Sequence, residues 1–187
     1  MSRQPKNANE LTRRLVIPSA FPITVAYVPV SFVADDVVLG PDMLAMGNAT
    51  YYEFGILSSA PPVAWLCAVA KPAGASFNYA IERVYNTFPW PEDLSDEQRA
   101  KIEHSARKIE QVRASIPDFS FAKHYTVDNM PAELKEAHRA NDEAVLAAYG
   151  LPPDASARDI VFCLKARYDA LMKEHVQVGN NTRNWEE

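Results

Sequence analysis

The run Val84-Tyr-Asn-Thr-Phe-Pro-Trp-Pro91-Glu-Asp-Leu-Ser95-Asp-Glu-Gln-Arg99 divides the chain into two textures. Two prolines around Trp90 fix φ and remove backbone donors, which makes 89–91 a rigid extended connector. Directly after it, Ser95 stands as a helix cap before Ile102, Ala106, Ile109, Val112 and Ile116, spaced by three and four. Pro131 opens a second such segment, where Leu134, His138, Asn141, Val145 and Ala148 form one stripe and Gly150 supplies a left-handed stop. Ser156 or Asp154 caps a third, with Val161, Leu164, Tyr168, Leu171 and His175 on one face. The spacing predicts three amphipathic helices gathered into a small bundle, then a polar, loose tail from Val178 to Glu187.

Upstream the periodicity changes. Leu15-Val16-Ile17, the run from Ile23 to Phe32 and Asp35 to Gly40 read as short strands, rich in β-branched and aromatic residues. Pro18, Pro22 and Pro29 cannot donate to a ladder, so these are edge or bulged strands and not the core of a parallel sheet. Thr50 to Leu57 and Val63 to Ala70 turn helical, with Pro61-Pro62 suited to a first turn. Phe77 to Tyr85 returns to an extended pattern. The fold class is therefore α+β, a mixed strand-and-helix module over 1–91 followed by a helical domain over 92–187.

Composition bounds what this fold does. The 187 residues are 48% hydrophobic and 23% charged, as in soluble globular proteins. No apolar run approaches the roughly 20 residues of a membrane span, and the polar start resembles neither signal peptide nor anchor, so a cytoplasmic location with no membrane partner is expected. Cys67 and Cys163 lie in apolar surroundings and read as reduced, buried thiols. The net charge of −5 is uneven, because residues 1–90 carry six Lys/Arg and six Asp/Glu while 91–187 carry thirteen and eighteen. A chain-wide basic nucleic-acid surface is excluded, so any DNA contact must be local.

No GxGxxG, GxxxxGK[ST], HExxH, CxxC or GxSxG occurs, and neither a catalytic residue, a metal site nor a cofactor cradle is assigned to these residues. His104, His124, His138 and His175 read as surface or packing residues. Glu103, Glu110, Glu133 and Glu136 stand beside Lys or Arg at helical spacing, the mark of a solvated face. Trp65, in Val63-Ala-Trp-Leu-Cys-Ala-Val69, reads as core. The segment from Lys71 to Asn86 is different, because small residues precede Phe77-Asn78-Tyr79. By composition it is first a turn leading into a strand; alternatively the small residues admit a close partner, with Asn78, Arg83 and Asn86 reaching bases or phosphates.

Phe54-Gly-Ile-Leu-Ser-Ser59, Ala64-Trp65, Val84-Tyr-Asn-Thr-Phe-Pro-Trp-Pro91, Met130-Pro-Ala-Glu-Leu-Lys-Glu-Ala-His138, Asn141-Asp142 and Ala147-Ala-Tyr-Gly150 occur in an order and spacing that resemble the C-terminal region of MmeI-like enzymes. Those are large single-chain type II restriction–modification proteins, and the resemblance runs from about residue 11 to about 175. It implies a target-recognition module followed by the C-terminal helical domain. In that family an upstream methyltransferase domain binds S-adenosylmethionine, carries Asn-Pro-Pro-Tyr and methylates adenine N6. That motif is not in these residues, so this chain is expected neither to methylate nor to cut by itself.

Carried over by position, the family's base-reading pair falls on Gly74 and Ser76; the loop's own chemistry adds Lys71, Asn78, Arg83 and Asn86 as further DNA-binding residues. Relatives are often basic where this chain has Ala60, Cys67, Pro72 and Asn78, and carry an arginine-rich turn where it has Pro22 to Ala26. Several phosphate contacts are thus missing. The expected partners are double-stranded DNA and a methyltransferase domain of the same or a neighbouring chain. The alternative is a non-catalytic protein-interaction or scaffold piece that has lost its DNA surface.

Overall fold

In the computed structural model of the chain the described residues are 13–70 and 74–183, with side chains described as far as residue 173. Leu15, Val16 and Ile17 form the middle of β1 (Arg13–Pro18), and burial of three consecutive residues means that both faces of the strand are covered. It pairs antiparallel with β3 (Ser31–Ala34), Leu15 opposite Phe32, and with β4 (Met43–Met46), Ile17 opposite Leu44. β2 (Ala20–Pro22) and β5 (Ser76–Asn78) form a separate antiparallel ribbon, with Phe21 opposite Phe77. Pro18 and Pro22 close their strands, where a missing donor does no harm.

The expected α+β class holds, and four local expectations are corrected. The run from Ile23 to Val30 is irregular and only Ser31 onward joins a ladder. Prolines 22 and 29 interrupt it, Val28 and Val30 are fully buried, and its Ala26 N–H donates to Tyr125 O (2.9 Å). Asp35 to Gly40 is a turn that leaves Val37 and Val38 exposed, and the strand comes later, at β4. The extended pattern after Phe77 stops at Asn78; Ile81–Tyr85 is a single π-helical turn. Cys67 is exposed and Cys163 half-buried, so neither is the buried thiol expected, although both cysteines are free thiols.

Helix α1 (Tyr51–Leu57) starts in a capping box, the Glu53 carboxylate accepting from the Thr50 N–H (2.7 Å) and Thr50 Oγ1 accepting from Tyr52. α2 (Ala60–Val69) has its two prolines in the first turn, as predicted. Ser95 and Gln98 cap α3 (Asp96–Ser115), and of its predicted stripe Ile102, Ala106, Ile109 and Val112 are buried while Ile116, at the C-cap, is half-buried. A short α4 (Phe121–His124) precedes α5 (Ala132–Ala148), where all five predicted stripe residues are buried and Gly150 stops the chain at φ +72°. Ser156 and Asp159 share a reciprocal cap at the start of α6 (Ala157–Arg183).

The helices do not close into a separate three-helix bundle. α3 and α5 pack along each other and α1 lies across α3, whereas α6 packs on α2 of the first half. Trp65 meets Tyr168 there, with ring centroids 5.7 Å apart. An amphipathic stripe specifies that a face is buried, not against what, and the apolar flank of α2 is the surface α6 covers. The expected loose tail is also corrected over 178–183, where α6 stays helical; residues 184–187 and the side chain of His175 lie outside the described residues. No helix among the described residues is long and apolar enough to cross a membrane.

Between the halves, Trp90 packs edge-on against Phe88 and Tyr85 (5.6 and 6.1 Å), and the Tyr149 hydroxyl donates to Pro89 O (3.0 Å). The connector is thus pinned at both ends of a shared core. The α1–α3 crossing is tighter still, because a Cβ on Gly55 would stand 2.7 Å from Ile102 Cγ2 and 3.1 Å from Ala106 Cβ. Gly55→Ala is therefore expected to cost about 1–3 kcal/mol through overpacking. A denaturant titration showing less than about 0.5 kcal/mol lost would mean that the crossing has slack.

Candidate nucleic-acid interface

Alternation along β5 sorts its residues. Phe77 and Tyr79 point inward and are buried, while Ser76 and Asn78 share the other parity, Ser76 half-buried and Asn78 exposed; Gly74 is exposed in the turn before the strand. On the paired strand Phe21 is buried between exposed Ala20 and Pro22. The ribbon's outer face is small, uncharged and open. Ser76 offers a hydroxyl and Asn78 an amide, so donors and acceptors are both available there. Gly74 has φ +64° with nothing within 4 Å of a notional Cβ, so it is a turn residue whose side-chain position is free but whose backbone disfavours L residues.

Two further bonds extend the ribbon past its paired residues, Ile23 N–H to Ala75 O (3.0 Å) and Tyr79 N–H to Ser19 O (2.8 Å). Arg83 and Asn86 are exposed in the π turn that follows, Thr87 Oγ1 donating to the Arg83 carbonyl and Asn86 N–H to Ile81 O. Asn86 borders an apolar cup of about 190 Å³ walled by Leu15, Ile17, Leu44, Met46 and Tyr79. The structure thus brings Ser76 and Asn78 onto one edge, with Gly74 in the turn before it, and sets Arg83 and Asn86 in the next turn of chain. Lys71 lies outside the described residues.

Between α3, α5 and the α1–α2 corner is a buried polar chain that residue spacing did not reveal. Arg113, on the α3 stripe side, donates from Nε to the Tyr125 hydroxyl (2.7 Å) and from Nη1 to Val30 O (2.7 Å). Tyr125 O–H lies 2.6 Å from His138 Nε2, and His138 Nδ1 lies 2.9 Å from Ser58 O. A carbonyl only accepts, so Nδ1 carries the proton, Nε2 accepts from Tyr125 and the ring is neutral. Burial first and the Arg113 charge second hold His138 far down, at about 3. Burial also pushes the Tyr125 hydroxyl up to about 12, against Arg113.

A second pair joins the halves. Asp142 accepts from the Tyr27 hydroxyl (2.7 Å) and from the Ala60 N–H (2.8 Å), and burial raises its carboxyl to about 6 despite both donors. His138 keeps the packing role the sequence suggested. Glu110 departs from its expected solvated role, since it pairs across to Arg13 (3.5 Å) and accepts from Tyr51. Around it a pocket of about 370 Å³ gathers Arg13, Arg14 and Arg107, paired respectively with Glu110, Asp35 and Glu103. The cations there are balanced by carboxylates.

Comparison with known proteins matches residues 1–92 to the MmeI target recognition domain and residues 94–176 to the MmeI C-terminal domain. A curated relative, DNA methyltransferase A of Bacillus subtilis (strain 168), is 33% identical over 135 residues, covering 72% of this chain and 15% of the relative. A solved structure of the Type IIL restriction–modification enzyme MmeI in complex with DNA superposes with a TM-score of 0.82 at 29% identity, over 87% of this chain and 22% of that one. The chain therefore spans between a seventh and a quarter of the length of the relatives it matches.

Proposed function

The chain belongs to the MmeI family, with its target recognition domain followed by its C-terminal domain, and from this we propose that residues 1–91 read duplex DNA while 92–187 hold the reading module. The observation that carries the reading is the β2–β5 ribbon, an exposed, uncharged edge whose Ser76 and Asn78 face outward while Phe77 and Tyr79 anchor it. Such an edge approaches base edges closely, and Gly74 adds no bulk beside it. Arg83 and Lys71 hold flanking phosphates, and Asn86, which ends the turn carrying Arg83, adds a further polar contact. The DNA in the solved relative and the name of the B. subtilis relative support the same direction.

In this reading the module serves an adenine-N6 methyltransferase domain of the same or a neighbouring chain, which flips and modifies the base. S-adenosylmethionine belongs to that domain. Neither described positive-φ glycine, Gly74 before β5 or Gly150 after α5, sits in a strand-to-helix turn, so these residues do not fit a cradle for it. A cytoplasmic location follows from the same role.

Selection from a randomised duplex pool tests the ribbon. Ser76→Asp is expected to alter the preferred base at one position, whereas Arg83→Ala is expected to weaken all duplexes alike and flatten the salt slope by about 0.9. Gly74 is a poorer target, because any side chain there costs about 1–2 kcal/mol in the left-handed region. An unchanged selected sequence for Ser76→Asp would reduce the ribbon to a turn, and failure of the wild-type protein to bind any duplex at low salt would favour the protein-interaction reading.

A further inference from the structure

Three polar side chains on one face of α5 take hold of the backbone corner between α1 and α2. His138 Nδ1–H donates to Ser58 O (2.9 Å), Asn141 Nδ2 donates to Gly55 O (2.8 Å), and Asp142 Oδ1 accepts from the Ala60 N–H (2.8 Å). Spacings of three and four residues put all three on one side of the helix. Ser59, the N-cap of α2, makes no side-chain bond to its own helix; its hydroxyl donates back to Ile56 O (2.6 Å). Asp142 supplies the missing cap from the other half of the chain, placing a carboxylate at the positive end of α2.

The other oxygen of Asp142 accepts from the Tyr27 hydroxyl (2.7 Å), and the Tyr27 ring stacks on His138 at 4.0 Å. Tyr27 lies in the segment that leaves β2. That segment is tied to the second half again by Ala26 N–H to Tyr125 O (2.9 Å) and by the bridge between Val25 and Thr126. α2, for its part, is the last helix before β5. One carboxylate thus bonds both to the stretch leaving the first strand of the ribbon and to the helix leading to the second.

We infer that Asp142 is a positioning residue, through which the C-terminal half sets the placement of the β2–β5 ribbon. Loss of either bond loosens one arm of the ribbon, on the β2 side against the remaining ties at Ala26 and Val25, whereas the apolar α3–α5 contact does not run through Asp142. The holding stands on geometry alone; its consequence for DNA reading rests on the function proposed above.

Site-resolved hydrogen exchange on the whole chain tests the holding, with Asp142→Ala, the isosteric Asp142→Asn and Tyr27→Phe. The Ile23 and Tyr79 amides, which close the ribbon, are expected to exchange about tenfold faster or more in Asp142→Ala, with α3 amides unchanged. Asp142→Asn and Tyr27→Phe keep part of the clamp and are expected to show smaller, equally local effects. In parallel, the ratio of selected to random duplex affinity should fall about tenfold in Asp142→Ala, the scale of a hydrogen bond to a charged group, while the salt slope stays put.

Ribbon amides at wild-type rates, or a rise shared equally by α3, would overturn the clamp. A loosened ribbon with undiminished duplex selectivity would overturn its positioning role. Wild-type binding without sequence preference would count against the proposed function instead, and the exchange pattern would still decide whether Asp142 holds the ribbon.

Discussion

Acidification from pH 6.5 to pH 4.5 is expected to remove about 2 kcal/mol of folding stability through His138 alone. The folded ring is fully buried and neutral, donating to Ser58 O and accepting from Tyr125, with Arg113 on the far side of that hydroxyl. It resists protonation down to about 3, whereas the unfolded chain's imidazole takes a proton near 6.5. The unfolded state therefore binds the extra proton, and stability falls as the pH falls below 6.5.

Asp142, one turn further along α5, has the opposite sign. Its carboxyl is raised to about 6 in the fold, chiefly by burial and with Glu143 adding to it, so the folded state holds the proton between about 4 and 6. That contribution is complete below the unfolded value and is lost as the pH rises through 6. Between pH 4 and 6 the two groups offset each other. Urea titrations across this range should show Asp142→Asn losing about 2–3 kcal/mol more on acidification than the wild type, and His138→Gln losing less. Parallel curves for wild type and Asp142→Asn would show that the carboxyl titrates as it does in water.

Leu164→Ala is expected to cost about 2–5 kcal/mol, the range for a buried leucine left as a cavity. The loss belongs to the α2–α6 contact, so it should add to that of Leu134→Ala, at the start of α5, within about 0.5 kcal/mol. Denaturant midpoints of the two single variants and the double variant check both points. A coupling above about 1 kcal/mol would place α6 against α5 after all, and a loss near zero would mean that its stripe faces water.

What could be read from the residues follows the range of the forces involved. The stripes of α3 and α5 and the cap at Ser95 depend on neighbours three or four residues away and form as predicted, and of the two candidates for α6 it is Ser156 that caps. The run from Ile23 to Val30 did not become a strand because its hydrogen-bond partners, Tyr125 and Thr126, are contributed by the other half. β4 was missed for the converse reason, as Met43-Leu-Ala-Met46 has no β-branched residue and owes its pairing to β1. Small residues before Phe77-Asn78-Tyr79 did mark the ribbon, since alternation is local. Tyr27 and Asp142 carried no such signal, because two polar residues so far apart in sequence declare a contact only once the chain has folded.

The pinned connector has a consequence for recombination. Cutting and rejoining such proteins at Pro89–Pro91, where the sequence changes texture, would part the Gly55 and Ser58 carbonyls and the Ala60 amide from their own Asn141, His138 and Asp142. A chimera made there must remake three buried hydrogen bonds with a foreign α5 and should fold well only where that helix presents the same polar groups at the same depth. Exchange of the ribbon's outward residues disturbs none of these bonds. Over generations, then, variation has an inexpensive route through single positions on the edge and a costly one through whole-module shuffling, so that new sequence preferences can accumulate while the joint between the halves stays as it is.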